Sequence, residues 1–183
     1  NDLKKVRSWM QKNGIQMVSK PHVGICVRDT ENNIRRGCVM ILREMLETST
    51  NQQTLISARF VQAEQSMEKY QMNSFRKTLE MWREQILTVI QALQDSAQVK
   101  ISDNGFCAMF VYLLTAWTRI REGHAIIAKE NTYAHIKIQQ GFDGGKIHNL
   151  IKKETGMDIS KDEMFMIHAE WMSLRKFGAS HEI

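Results

Sequence analysis

FRKTLEMWREQILTVIQAL, Phe75 to Leu93, sets the period by which the rest of the chain is read. Phe75, Leu79, Trp82, Ile86, Val89 or Ile90, and Leu93 recur at steps of four and three, which stacks them on one face of an α-helix. Asn73 or Ser74 stands where a cap is needed. Glu80 and Glu84 lie one turn apart on the remaining surface, but Lys77 and Arg83 beside them make a solvated lattice of charge pairs, not a pair of catalytic carboxylates.

Upstream, Ile56, Phe60, Ala63, Met67 and Tyr70 repeat the same steps, so the two segments are expected to pair as an antiparallel helical hairpin. Downstream, FCAMFVYLLTAW (Phe106–Trp117) is apolar nearly all round and is bounded by Asp103, Arg119 and Arg121. It falls well short of the roughly 20 apolar residues that span a bilayer. A helix of this kind, running from Ser102 or Asp103 to Glu122, belongs inside a bundle with neighbours on several sides. The last helix opens on a capping box of Ser160 and Glu163. It aligns Met164, Ile167, His168, Trp171 and Leu174 on one face and stops at Gly178. His168 reads as a hydrogen-bonded core histidine. HAIIAKENTYAHIKIQQ, from His124 to Gln140, fits neither period cleanly and leans towards helix.

The amino-terminal quarter differs. Asp2 caps a short basic helix, LKKVRSWMQKN, in which Leu3, Val6 and Met10 share a face and Gly14 is the stop. Val23, Ile25 and Val27 then alternate with Gly24, Cys26 and Arg28, a two-residue period that indicates an extended arm or hairpin near residues 15–28. Thr30 and Asn33 are cap candidates for a following helix on which Ile34, Cys38, Ile41, Leu42 and Met45 fall at helical spacing. A single proline, Pro21, leaves the rest of the chain free to be helical. The expected fold is all-α, mainly a helical bundle. With 183 residues, 43% of them hydrophobic, it forms one domain, 1–183, carrying a basic arm, 1–43. Met45, Met67 and Met164 read as gap-filling core thioethers.

Charge is concentrated at the start. Residues 1–43 hold nine Lys and Arg against three Asp and Glu, more than the whole excess of a chain whose net charge is +5. Such a layout suits a polyanion. Mobile cations in a row supply sequence-independent affinity for phosphates through counterion release. The expected phosphate contacts are Lys4, Lys5, Arg7, Lys20, Arg28, Arg35 and Arg36, extended by Lys146, Lys152 and Lys153 if the fold brings the two regions together. Trp9, His22 and Tyr133 are stacking candidates if they are exposed.

GFDGGKIHNLIKKETGMDIS, Gly141 to Ser160, is the other functional-looking stretch. Gly141, Gly144, Gly145, Ile147, Ile151, the Glu154-Thr155-Gly156 turn and Ile159 resemble, over about twenty residues, the K-homology RNA-binding module, in which a GxxG loop opens a helix that ends in a Thr-Gly turn. That module needs a three-stranded sheet, whereas a strong helix follows here and the Thr-Gly spacing slips by one, so the family is not carried over. The local alternative is a turn between helices, with Gly156 as a stop and Asp143 opposing any anion.

Other chemistry leaves no trace. There is no P-loop, dinucleotide fingerprint, HExxH or nucleophile elbow. His22, Cys26 and Cys38 match no usual zinc spacing, and the three cysteines, with Cys107, are too few for a disulfide framework. No enzyme activity, metal or cofactor is expected, and the compartment is expected to be reducing: intracellular, cytoplasmic or nuclear. The chain opens without an initiator Met or a signal segment and is read as an excised domain or processed product. The function expected is a non-enzymatic RNA- or nucleoprotein-binding module. The alternative is a helical protein-interaction or self-associating matrix or scaffold domain, its partner a protein or a second copy, docking through exposed Trp9, Met10 and Met72.

Overall fold

The computed structural model describes residues 2–20, 24–47, 65, 67, 68, 72–127 and 143–178. In chain order these form α1 (Asp2–Lys12), β1 (Met17–Lys20), β2 (Gly24–Val27), α2 (Glu31–Glu47), α3 (Asn73–Ala97), α4 (Asp103–Arg121), α5 (Gly144–Thr155) and α6 (Lys161–Gly178). The protein is all-α, as its sequence indicates, with one antiparallel hairpin among the described residues. It divides into two compact units, 1–76 and 77–183, with the division falling after the first turn of α3. The expected partner helix at Ile56–Tyr70 and the ambiguous stretch after Ile127 lie outside the described residues, save Gln65, Met67 and Glu68.

In the first unit, α1 stops where Gly14 takes up φ +67°, the left-handed conformation that its missing Cβ allows. The hairpin pairs Met17 with Val27 and Lys20 with Gly24. Val6, Met10 and Ile15 form a buried cluster, with Trp9, Met17, Val27 and Ile41 packed around it. Gly37 is what lets α2 come so close. A Cβ there would sit 3.0 Å from Met10 Cε, so the methionine fills the space a side chain would otherwise take. Thr30 supplies the cap of α2, its Oγ1 accepting from Asn33 N at 3.4 Å, which places Asn33 inside the first turn.

The second unit is built around α4, in which every residue from Ala108 to Thr118 is buried. Ser102 caps it, Oγ accepting from Gly105 N at 3.1 Å. Thr115 and Thr118 survive in this apolar setting because their hydroxyls donate to Val111 O and Leu114 O, at 2.8 and 2.7 Å, one turn back. On α3, Leu79, Trp82, Ile86, Val89, Ile90 and Leu93 are buried. Each such side chain contributes about 1.5–3 kcal/mol on transfer from water, so packing and not intrinsic propensity holds the helix. The helix breaks at Trp82 (φ −129°, ψ 18°), the residue whose indole meets Trp117 edge-on, ring centroids 5.9 Å apart and planes at 87°. No proline or glycine lies in α3, so the kink coincides with its bulkiest buried side chain.

Helix α6 packs on α4 and α5. Ser160 Oγ accepts from Glu163 N at 3.2 Å, one arm of the expected capping box. The Glu163 carboxylate, buried at 1% exposure, also reaches far beyond its own helix and accepts from Ile126 N at 2.7 Å. Removing it strands a buried N–H. Glu163→Ala is therefore expected to cost about 1–3 kcal/mol in urea unfolding, while Glu163→Gln, which keeps an acceptor oxygen, costs less.

Candidate functional site

The candidate surface begins with α1. Val6 and Met10 turn into the core, and at 3.6 residues per turn Lys4, Lys5 and Lys12 fall within about 60° of the opposite direction, with Arg7 on the flank. All four are exposed, as is Arg28 after β2. None of the five makes an ion pair with a described residue. Lys12 was missing from the residues picked out of the sequence, although its seven-residue step from Lys5 returns it to nearly the same azimuth.

Arg36 is different in kind. Its guanidinium donates to Asn33 Oδ1 at 3.3 Å and to Asn13 Oδ1 at 3.1 Å and lies over the Trp9 ring, 6.0 Å from the centroid. Both amides are themselves fixed. Asn13 Nδ2 donates to Trp9 O at 2.8 Å, and Asn33 Nδ2 to Asp29 Oδ1 at 2.8 Å. Arg36 is thus an exposed cation held rigidly where α2 meets α1. Asp29 anchors the group from below, accepting from Gln16 N at 3.1 Å and Thr30 N at 2.7 Å. These bonds, that from Asn33 first, hold its carboxyl below the ordinary aspartate range.

Two expectations change here. Arg35 is only 3% exposed, and its Nε donates to Glu31 Oε1 at 3.0 Å, so it is a core-edge ion pair and leaves the phosphate-contacting set. The signal was present, since Glu31 precedes Arg35 by four residues and Arg35, Cys38 and Leu42 share a helical face. Met10, named for a protein-docking patch, is 1% exposed and part of the core, while Trp9 and Met72 are half-buried. Lys20 lies on β1, but its side chain, like His22 and Tyr133, is outside what is described.

In the second unit the glycine stretch resolves into a capped helix. Asp143 Oδ1 accepts from Lys146 N at 3.0 Å, taking up an amide that an anion would need, and Gly156 ends the helix at φ +74°. Lys146 is exposed. Lys152 Nζ lies 2.8 Å from Asp158 Oδ2, and Lys153 Nζ 4.0 Å from Glu154 Oε1, so both are partly neutralised in place. His148 Nε2 faces Ile159 O and Asp158 Oδ1, each at 3.1 Å, and so must be the donor. The hydrogen bond and charge of Lys152, with His148 beside it, hold the Asp158 carboxyl below its usual range.

A cavity of about 1030 Å³ opens beside this helix, lined among others by Lys146, His148, Ile159, Met164, Phe165 and His168. Burial pushes the His168 imidazole below the ordinary histidine value of 6.5. The unfolded chain therefore takes up this proton first. The stability His168 lends is full above about pH 6.5 and is lost as pH falls towards its folded pKa. In melting experiments between pH 7.5 and 5.5, the Tm advantage of wild type over His168→Gln is expected to shrink on acidification; a gap constant with pH would contradict it.

Among the described residues, no three His, Cys, Asp or Glu side chains converge as a metal site, and no helix is long and apolar enough to cross a membrane. No protein-family model, curated protein or solved structure matches the chain.

Proposed function

We propose that this protein is a non-enzymatic helical module that binds RNA, alone or within a nucleoprotein, through the phosphate backbone and the basic face of its first unit. The observation that carries this reading is the exposed, uncompensated set Lys4, Lys5 and Lys12 on the outward side of α1 and Arg7 on its flank, with Arg28 exposed in the same unit. Exposed cations without internal partners are free to neutralise phosphates, and the release of the counterions condensed on the polyanion then drives association. The docking patch expected for a scaffold domain loses Met10 to the core, which favours the electrostatic reading.

The test is a titration of labelled nucleic acid across salt. Four phosphates contacted give a slope of log affinity against log salt of about −3.6 on a duplex and about −2.8 on a single strand. Affinity that does not change with salt overturns the reading and points to a protein partner.

A further inference from the structure

We infer that Ser8, at the centre of the outward face of α1, is the acceptor for a basophilic serine kinase, and that its phosphate weakens nucleic-acid binding by this face. The inference rests on the phosphate-binding reading above and adds its regulation.

At about 100° per residue, Ser8 points directly away from the bisector of Val6 and Met10, the two side chains that α1 buries. It is exposed, and its hydroxyl makes no hydrogen bond with a described residue, unlike those of Thr115 and Thr118, which bond one turn back along their own helix. Lys4 and Lys5 precede it by four and three residues and Lys12 follows by four. These are the spacings that bring helical side chains together, at about 5–6 Å between Cβ atoms. Along the chain the same segment is a serine with cations four, three and one positions ahead of it, Arg7 being the last, and no Asp or Glu occurs between Leu3 and Arg28. The complement of such a segment is an acidic substrate groove.

In the transfer, Ser8 Oγ attacks the γ-phosphorus of a nucleoside triphosphate, the bond to the departing diphosphate breaks, and the hydroxyl proton passes through the kinase's carboxylate base to solvent. Kinases take their substrates extended, so α1 must first open. Its 11 residues fall below the roughly 12–15 that hold an isolated helix, and the seating of Val6 and Met10 is what keeps it formed, so local opening suffices. The phosphate brings about two negative charges near neutral pH. Once α1 has re-formed, they lie among Lys4, Lys5 and Lys12 and neutralise two of the four cations that a polyanion would otherwise meet. With two contacts in place of four, the salt slope on a duplex falls from about −3.6 to about −1.8, and affinity at 0.1 M salt drops about 60-fold.

The experiment treats the full chain with magnesium ATP and a serine kinase that selects a cation three residues ahead of its acceptor, and locates the phosphate by mass spectrometry. Incorporation is expected at Ser8 and is expected to slow in Lys5→Gln. Anisotropy with a duplex of about 20 base pairs should then show the 60-fold loss and the halved salt slope, and the same treatment should leave the affinity of Ser8→Ala unchanged. No phosphate on Ser8, or a chain phosphorylated there that binds duplex within about fivefold of the unmodified one, overturns this inference while leaving phosphate binding in place. Absence of binding by the unmodified chain even at about 50 mM salt overturns both.

Discussion

Trp117→Ala is expected to lower the unfolding free energy by about 3–5 kcal/mol, the cost of emptying the site of a large aromatic ring from a packed core. Trp117 has no exposed surface and meets Trp82 edge-on at 5.9 Å, so the deletion removes both its own burial and the seat of the α3 kink. Its Nε1 finds no hydrogen-bond partner among the described residues. Trp117→Phe keeps a ring and removes that buried donor, and is expected to cost clearly less than the alanine variant. Urea unfolding measures both. A loss below about 1 kcal/mol for Trp117→Ala would mean that α4 is not the centre of its unit.

The second large effect concerns binding. Reversing all four α1 cations, as Lys4→Glu, Lys5→Glu, Arg7→Glu and Lys12→Glu together, removes four counterion-release events. At 0.1 M salt these are worth about three to four orders of magnitude in affinity for a duplex. The side chains are exposed and unpaired with any described residue, so the melting temperature should move little. A folded variant that binds within tenfold of wild type would remove α1 from the interface. Lys152→Glu with Lys153→Glu is the comparison, because those amines already lie against Asp158 and Glu154 and should contribute less.

Legibility in the sequence followed the range of the interactions. The helical faces of α3, α4 and α6, the stops at Gly14 and Gly156, the Ser102 cap and the hairpin at Met17–Val27 are local consequences of period and of cap chemistry, and all could be read directly. Features that join distant segments left no such pattern. Glu163 meets Ile126 across 37 residues, and Arg36 meets Asn13 across 23. Gln98 ends α3 at φ +51°, where a glycine would have been the readable signal. At the candidate surface, charge density named Lys4, Lys5 and Arg7 because it is additive along the chain. It misplaced Arg35 because exposure depends on which face a residue occupies, and it offered Trp9 for stacking because nothing local announces that a guanidinium from α2 will cover the ring.

The all-round burial of α4 bears on the order in which the protein is made. Its cylinder leaves the ribosome before α6, and the two are separated by about forty residues from Arg121 to Lys161. At 5–20 residues per second the side of α4 that α6 later covers stays bare for about 2–8 seconds. A nascent chain paused in that window presents that side of α4 to chaperones, and one truncated there keeps presenting it.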